Sequence, residues 1–222
     1  SVRAIDKSQG TITTLEEALI SLGNAPLIHH MEKFNPELAK VGEQLIKGGK
    51  ANYGDLKGKR ISSYFVCTDC HNLVPETNSL TNHDPQERLD YAIKNEIPFL
   101  PGSTLHGLYN RTSFYNDDYY KKYGHLVFGA RDTLENAIQL CAEYCASGRP
   151  LEKWELDAMM HYFKREELKL SDLGLSEDEL TLITTAQSKP QKIKDAALAS
   201  LKDKYTTGFK AHFLGSLSEN QR

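Results

Sequence analysis

The chain has 222 residues, of which 26% are charged, and a formal net charge of −3 at pH 7. This length is enough to bury a real core without disulfides, and the mixed charge gives no argument for binding nucleic acid or an anionic membrane. No run of the sequence approaches the about 18 apolar residues of a membrane span.

The first part of the chain predicts two helices. In "TITTLEEALISLG", Thr14 and Glu17 have capping-box spacing, and a glycine offers a stop. In "NPELAKVGEQLIKGG", Asn35 can cap the helix, Pro36 takes its first position, and two glycines end it. The second helix has an apolar stripe that includes Gly42.

The middle of the chain, from about Leu73 to Asp132, carries mostly turn and loop signals. A single short helix is predicted there, over roughly Pro85 to Lys94. A stretch of this length with little regular structure is unusual in a compact domain, unless the segment wraps around something.

The last part predicts four further helices. The strings "DTLENAIQLCAEYC" and "LEKWELDAMMHYFKREEL" have strong helical periodicity, and the first can be capped by Asp132 or Thr133. Two more polar helices follow, and Ser176 and Glu179 form another capping box. We find no convincing strand run, so the sequence predicts a mainly α fold.

Two of the four cysteines lie in "YFVCTDCHNL", where Cys67 and Cys70 are followed at once by His71. Three interpretations compete for this pattern: a disulfide loop, half of a zinc site, and covalent attachment of haem. A zinc site would need a second pair of ligands. The available pair, Cys141 and Cys145, lies 70 residues downstream inside a helical pattern, which is poor spacing for a zinc ribbon or finger.

The string C-x-x-C-H is the motif for attaching c-type haem. Two thiols add to the two vinyl groups on one edge of the porphyrin, so Cys67 and Cys70 must be a short, fixed distance apart. The histidine follows directly because its ring then gives the proximal axial ligand of the iron. The sequence therefore favours one covalently bound haem c, held by Cys67, Cys70 and His71.

With this motif, the chain from Pro36 to about Phe163 resembles a class I cytochrome c. In that family a helix carrying a glycine precedes C-x-x-C-H and is crossed by a C-terminal helix, which matches Gly42 and Tyr162 or Phe163 here. The resemblance implies a helical haem domain with long haem-wrapping loops and extra helices at both ends. The corresponding boundaries are 1–34 for an N-terminal extension, 35–168 for the haem domain and 169–222 for a C-terminal extension.

This chain departs from the family in two places. About two dozen residues separate Gly42 from Cys67, so an insertion lies between them, and no Met occurs between Cys70 and Met159 to serve as the usual distal ligand. More loosely, "CAEYCASGRPLEKWE" and "FLPGSTLHGLYNRTSFYNDDYYKKYG" are similar to stretches of a subgroup of larger bacterial periplasmic cytochromes c.

His106 is the first candidate for the sixth iron ligand, because apolar neighbours and glycines could form a pocket around it. The alternatives are His125, Met160 or no ligand at all. His83 is predicted to be a solvated turn residue. The other three histidines are predicted to lie at the surface: His29, His30 and His212. Buried haem propionates favour Arg, which predicts Arg111 as their partner and Arg149 as the second choice.

A six-coordinate haem predicts an electron carrier that works with redox partner proteins outside the cytoplasm, in the periplasm or an equivalent place. If the iron is five-coordinate, the alternative is a haem enzyme or gas sensor with polar distal groups. Those groups would be Tyr109, Asn110, Arg111, Tyr115, Tyr119, Tyr120 and Tyr123. A zinc-binding interaction module is the interpretation that remains if haem is absent.

The second cysteine pair is predicted to form a disulfide. Residue 146 is Ala, so a second haem at Cys141 and Cys145 would lack an adjacent proximal histidine. Haem is attached in an oxidising compartment, where thiols tend to pair. Four helical residues separate the Cα atoms by roughly 6 Å but leave the Cβ atoms too far apart, so the helix must distort near Cys145.

Overall fold

The computed structural model describes residues 13–74, 85–96, 100, 102–114, 120–121 and 123–213, with side chains except at 85–88, 91 and 205–213. The described chain is mainly α-helical, as predicted. Its helices are α1 Leu15–Ser21, α2 Pro36–Gly48, α3 Pro85–Lys94, α4 Leu134–Leu140, α5 Lys153–Arg165, α6 Glu177–Ala186 and α7 Gln191–Phe213. None of these helices combines the length and apolar character that crossing a membrane requires.

Three helices begin where the sequence placed their caps. At α1 the Thr14 hydroxyl accepts from the Glu17 N–H at 3.2 Å, and the Glu17 carboxylate accepts from the Thr14 N–H at 3.1 Å. Ser176 starts α6 with the same reciprocal arrangement. Asn35 caps α2 by accepting from two backbone N–H groups of its first turn. The predicted capping boxes and the Asn35 cap are confirmed.

Helices α2 and α5 cross in direct contact at Gly42. A Cβ atom on this residue would lie 2.0 Å from the Ala158 carbonyl oxygen and 2.9 Å from Cβ of Tyr162. The predicted contact between Gly42 and Tyr162 is therefore confirmed. Around the crossing lies the first core, whose buried members include Leu45, Ile46, Leu105, Tyr109, Leu134, Ile138, Ala142, Leu151, Met159, Met160 and Phe163.

A second core joins the two ends of the described chain. Helix α1 packs there against the 168–173 segment, α6 and α7. The Leu15 N–H donates to the Leu168 carbonyl at 2.7 Å, and the Leu170 N–H donates to the Thr13 carbonyl at 3.0 Å. The segments predicted as separate N- and C-terminal extensions thus share one apolar core.

Several features of the described structure were not predicted. A small antiparallel hairpin pairs β1, Asn52–Tyr53, with β2, Leu56–Lys57. Short 3₁₀ turns occur at Cys67–Asp69, Leu108–Asn110, Gly124–Ala130 and Leu170–Leu173. The distortion that was predicted near Cys145 is present, since α4 continues as a π-helical turn over Cys141–Cys145. The predictions for His83, Tyr115, Tyr119 and His212 concern side chains outside the description.

A buried charge cluster lies between the two cores. Lys164 donates to Glu16 at 2.9 Å and lies 2.8 Å from Glu167, and its ammonium group lies 4.7 Å from the centre of the Tyr109 ring. Beside it, His29 Nε2 donates to the Tyr109 carbonyl at 2.6 Å, and the Tyr109 hydroxyl donates to the His29 carbonyl at 2.9 Å. His29 is only 8% exposed, so its predicted surface position is wrong.

Replacing Glu167 with glutamine should change how stability depends on pH. Burial raises the pKa of Glu167 from 4.5 to about 7, although Lys164 acts in the opposite direction. The raised pKa contributes stability that is fully present below pH 4.5 and is lost as pH rises through about 7.

Urea unfolding of both proteins at pH 5 and pH 8 tests this. From pH 5 to pH 8, the wild type should lose unfolding free energy that Glu167→Gln does not lose. The difference between the two proteins should reach up to roughly 3 kcal/mol. Burial lowers the pKa of His161, which acts in the opposite sense, but that residue is present in both proteins and cancels in the difference. Identical pH dependence in the two proteins would contradict the assignment to Glu167.

Candidate functional site

The C-x-x-C-H segment folds into a compact turn. The N–H groups of Cys70 and His71 both donate to the Cys67 carbonyl, at 3.1 and 3.0 Å. The Asp69 carboxylate accepts from the Val66 N–H at 2.7 Å, which fixes the entry to the turn. Two thiols and an imidazole are therefore held by a short, internally bonded piece of backbone.

A backbone carbonyl orients the His71 ring. Its Nδ1 lies 2.6 Å from the Ser103 carbonyl oxygen, which can only accept a hydrogen bond. Nδ1 therefore carries a proton, and in the neutral ring the lone pair is on Nε2. This is the arrangement by which proteins commonly prepare a histidine to bind a metal through its other ring nitrogen.

Gly102 packs directly on the same ring. A Cβ atom at this position would lie 2.4 Å from Cε1 and 2.5 Å from Nδ1 of His71, and 2.7 Å from the Cys70 carbonyl oxygen. The Gly102 N–H also donates to that carbonyl at 2.7 Å. The absence of a side chain is what lets the segment approach the turn closely enough for Ser103 to reach the imidazole.

Arg111 binds the segment that contains Ser103 and Thr104. Its guanidinium donates to the Ser103 hydroxyl and to the Thr104 carbonyl, both at 2.9 Å, and the residue is only 7% exposed. The structure thus brings Arg111 next to the residue that orients His71. A role with haem propionates stays a prediction for Arg111.

Arg149, the second choice for that role, has a different setting. Two of its nitrogens donate to the two carboxylate oxygens of Glu155, each at 2.7 Å, and Glu155 is fully buried. A third bond joins Arg149 to the Lys59 carbonyl at 2.7 Å. This bidentate pair fastens the start of α5 to the loop after the hairpin.

The second cysteine pair lies within electrostatic range of the first, which the sequence did not indicate. A hydrogen bond with Cys145, together with burial, raises the pKa of the Cys141 thiol, and Cys67 and Cys70 are close enough to add to the effect. Cys145 in turn is close enough to Cys70 to act on its thiol. All four cysteines are present as thiols. The two cysteine pairs, up to 78 positions apart in sequence, are therefore close enough to interact electrostatically.

Backbone contacts fix that neighbourhood. The turn after Cys145 is bonded to the segment that leads into Cys67: the Ser62 hydroxyl donates to the Ala146 carbonyl at 2.6 Å, and the Arg149 N–H donates to the Ile61 carbonyl at 2.9 Å. Gly148 lies between them, since its Cβ would be 2.6 Å from the carbonyl oxygens of both Ile61 and Ala142. The predicted disulfide stays a prediction.

His106 points toward the second core. Its Nε2 lies 3.5 Å from a carboxylate oxygen of Asp172. Burial raises the pKa of Asp172, but the neighbouring His106 imidazole, the Lys169 N–H and the Lys169 charge outweigh it, and the net shift is downward. Binding a metal through Nε2 would require His106 to leave this carboxylate, and its role as iron ligand stays a prediction.

The structure also shows the neighbours of the other candidates for the sixth iron ligand. The His125 ring is tilted against Phe128 at 5.3 Å between ring centres and meets Tyr120 edge-on at 6.1 Å. Met159 and Met160 are buried in the first core. These contacts describe the candidates without selecting one of them.

The donor set at the turn can be compared with what a metal ion and a covalent haem each require. Within the residues that the structure describes, no group of three or more His, Cys, Asp and Glu side chains has the arrangement of a metal site. The turn does offer two thiols two residues apart and an adjacent imidazole with its lone pair on Nε2. Those are the groups that haem c requires.

Comparisons with known proteins add no family name. No family model, curated protein or solved structure matches this chain.

Proposed function

We propose that this protein is a c-type cytochrome that carries single electrons between redox partners. One haem would be attached through thioether bonds to Cys67 and Cys70, with His71 as the proximal ligand. The observation that carries the proposal is the 2.6 Å bond from His71 Nδ1 to the Ser103 carbonyl. A histidine at the end of C-x-x-C, whose Nδ1 is held by a backbone carbonyl, is oriented as an axial ligand needs to be.

When bound, haem iron supplies a one-electron change of oxidation state, and this chain's residues set the conditions for it. The Ser103 carbonyl increases the electron density that His71 can donate to the metal. Gly102 keeps the carbonyl within reach of the ring. Arg111 holds the segment that contains both, and it is also our candidate partner for a propionate.

A class I cytochrome c relationship is part of the proposal. It is supported by the tight crossing of α2 and α5 at Gly42, one helix on each side of the C-x-x-C-H turn in sequence. In this proposal residues 35–168 form the haem domain, and the second core is an addition that could dock a partner. Covalent haem attachment would also place the protein outside the cytoplasm, in the periplasm or an equivalent compartment.

An electron carrier needs an accessible haem edge for its partner. Tyr64 and Phe65, directly before Cys67, are 73% and 44% exposed. Aromatic side chains are common anchors in protein interfaces. We therefore include these two residues in the proposed surface for redox partners.

Absorption and electron paramagnetic resonance spectra of the ferric protein test the proposal, after expression with cytochrome c maturation machinery. An electron carrier should contain low-spin, six-coordinate iron that is reduced and reoxidised by one electron per chain. High-spin ferric iron that binds added azide at once would favour the haem enzyme or gas sensor. A protein without any haem band would favour an interaction module.

A further inference from the structure

One ammonium group serves two buried carboxylates where the two cores meet. Lys164 Nζ lies 2.9 Å from Glu16 Oε2 and 2.8 Å from Glu167 Oε1. The carboxylates come from different elements, since Glu16 belongs to α1 and Glu167 follows the end of α5. Glu16 is 2% exposed and Glu167 is 4% exposed, so water screens the charges of this acidic pair only weakly.

The two members of the acidic pair differ in their other partners. Glu16 Oε1 accepts from His30 Nδ1 at 2.8 Å and from the Leu27 N–H at 3.4 Å, so both of its oxygens are bonded. Within the part of the chain that the structure describes, Glu167 Oε2 is buried and has no hydrogen-bond partner. Burial without a partner disfavours the charged form of a carboxyl. A proton bound by the pair therefore belongs on Glu167.

The shifts in acidity agree with this placement. Burial raises the pKa of Glu16, but Lys164 and His30 outweigh it, and the net shift is downward. Burial also raises the pKa of Glu167, and there it prevails over Lys164, so the value reaches about 7.

The titratable and charged groups around the acidic pair come from several elements: Lys164 on α5, Glu17 on α1, His30 after α1, and Tyr109. Burial raises the pKa of the Tyr109 hydroxyl, so it stays protonated near neutral pH. Glu17 adds negative charge on the α1 side. If Glu167 ionises, its charge therefore meets a lysine that is already paired with Glu16.

The acidic pair lies beside the backbone bonds that dock α1. Leu15 and Leu168 are the sequence neighbours of Glu16 and Glu167, and the Leu15 N–H donates to the Leu168 carbonyl at 2.7 Å. The Leu168 N–H donates to Asn110 Oδ1 at 2.6 Å, which holds this residue to the 3₁₀ turn on its other side. Repulsion within the pair therefore acts on the attachment of α1.

We propose that the docking of α1 depends on a proton held by Glu167. With the proton bound, Glu16 and Lys164 form a neutral pair, and Glu167 adds no charge. When the proton leaves to solvent, two carboxylates face each other across one ammonium group. Helix α1 then opens more often, because opening lets water reach both carboxylates. This inference concerns the junction of the two cores and does not depend on haem.

The direction of the pH effect follows from proton linkage. A carboxyl with a higher pKa in the docked state than in the open state binds more protons when α1 is docked, so a rise in pH favours opening. With a pKa of about 7 when docked and the ordinary 4.5 when open, the opening equilibrium should rise roughly 50-fold between pH 5 and pH 8.

Hydrogen exchange of the full chain, read by mass spectrometry on peptides from α1, measures this opening. The wild type is compared with Glu167→Gln, His30→Gln and Glu37→Gln at pH 5 and pH 8, after correction for the intrinsic pH dependence of amide exchange. Peptides from α2 report deeper unfolding. Glu37 is the control carboxylate, because it lies on α2 with its side chain 72% exposed.

In the wild type, α1 should lose protection by roughly 50-fold between the two pH values and should stay less protected than α2. Glu167→Gln should abolish this loss, whereas His30→Gln and Glu37→Gln should retain it. If Glu167→Gln does not accumulate, the wild-type profile decides. Opening that rises with pH and levels off above about pH 7 supports the proposal.

Four results would overturn the proposal. The first two are a pH response in Glu167→Gln equal to that of the wild type, and loss of the response in His30→Gln. The third is equal protection of α1 and α2 in the wild type at pH 8, since α1 would then open only with the whole fold. The fourth is opening of wild-type α1 that does not change between pH 5 and pH 7.

Discussion

Replacing Gly42 with alanine should destabilise the fold by about 3 kcal/mol or more. The added Cβ would be 2.0 Å from the Ala158 carbonyl oxygen, which belongs to the backbone of α5 and cannot rotate away. Helices α2 and α5 would have to separate, and the first core would lose packing on both sides of the crossing. Urea unfolding followed by circular dichroism measures the loss.

Gly48→Ala is the matched control, because it lies in the same helix and its Cβ would meet no atom within 4 Å. Alanine favours helix over glycine by up to about 1 kcal/mol, so this variant should be as stable as the wild type or slightly more stable. Equal stability of Gly42→Ala and Gly48→Ala would contradict the close crossing.

In the proposed haem protein, replacing Gly102 with alanine should weaken the bond between His71 and the haem iron. The new methyl group would overlap the imidazole at 2.4 Å from Cε1, so the ring must move and the bond from Nδ1 to the Ser103 carbonyl must lengthen or break. Loss of such an outer partner commonly costs about tenfold or more in the affinity of a histidine for its metal. A proton then competes for the histidine more easily.

The measurement is an acid titration of the haem-loaded protein, followed by the change from low-spin to high-spin iron. A tenfold weaker ligand should raise the midpoint by about one pH unit. Gly129→Ala is the control, since its Cβ would meet nothing within 4 Å. A midpoint in Gly102→Ala equal to that of the control and the wild type would show that Gly102 does not hold the ring.

Local rules predicted the helix starts well. Thr14, Asn35 and Ser176 are short polar side chains next to the N–H groups that they bond, so their role depends on a few neighbouring residues only. The crossing at Gly42 was predicted from a family resemblance, and periodicity alone gave only the face on which the glycine lies.

The contacts that build the candidate site were harder to predict. The acceptor for His71 is the main-chain carbonyl of Ser103, and every residue type carries such a carbonyl. The approach of Cys141 and Cys145 to Cys67 and Cys70 depends on long-range packing across about 70 residues, for which a single sequence has no local signal.

The structure differs from the sequence-based prediction at two further places, for similar reasons. The hairpin at Asn52–Tyr53 and Leu56–Lys57 is too short for an alternating pattern to stand out. His29 was predicted to lie at the surface, but its exchange of hydrogen bonds with the buried Tyr109 keeps it inside. A polar side chain can be buried when its partners lie far away in sequence.

The central claim is that Cys67 and Cys70 carry one haem covalently, and the intact mass of the denatured, matured protein tests it most directly. The wild type should exceed its polypeptide mass by one haem, and the double variant Cys67→Ala, Cys70→Ala should have the bare polypeptide mass. Cys141→Ala should still carry the haem. A bare polypeptide mass for the wild type, obtained alongside a correctly matured reference cytochrome, would contradict the claim.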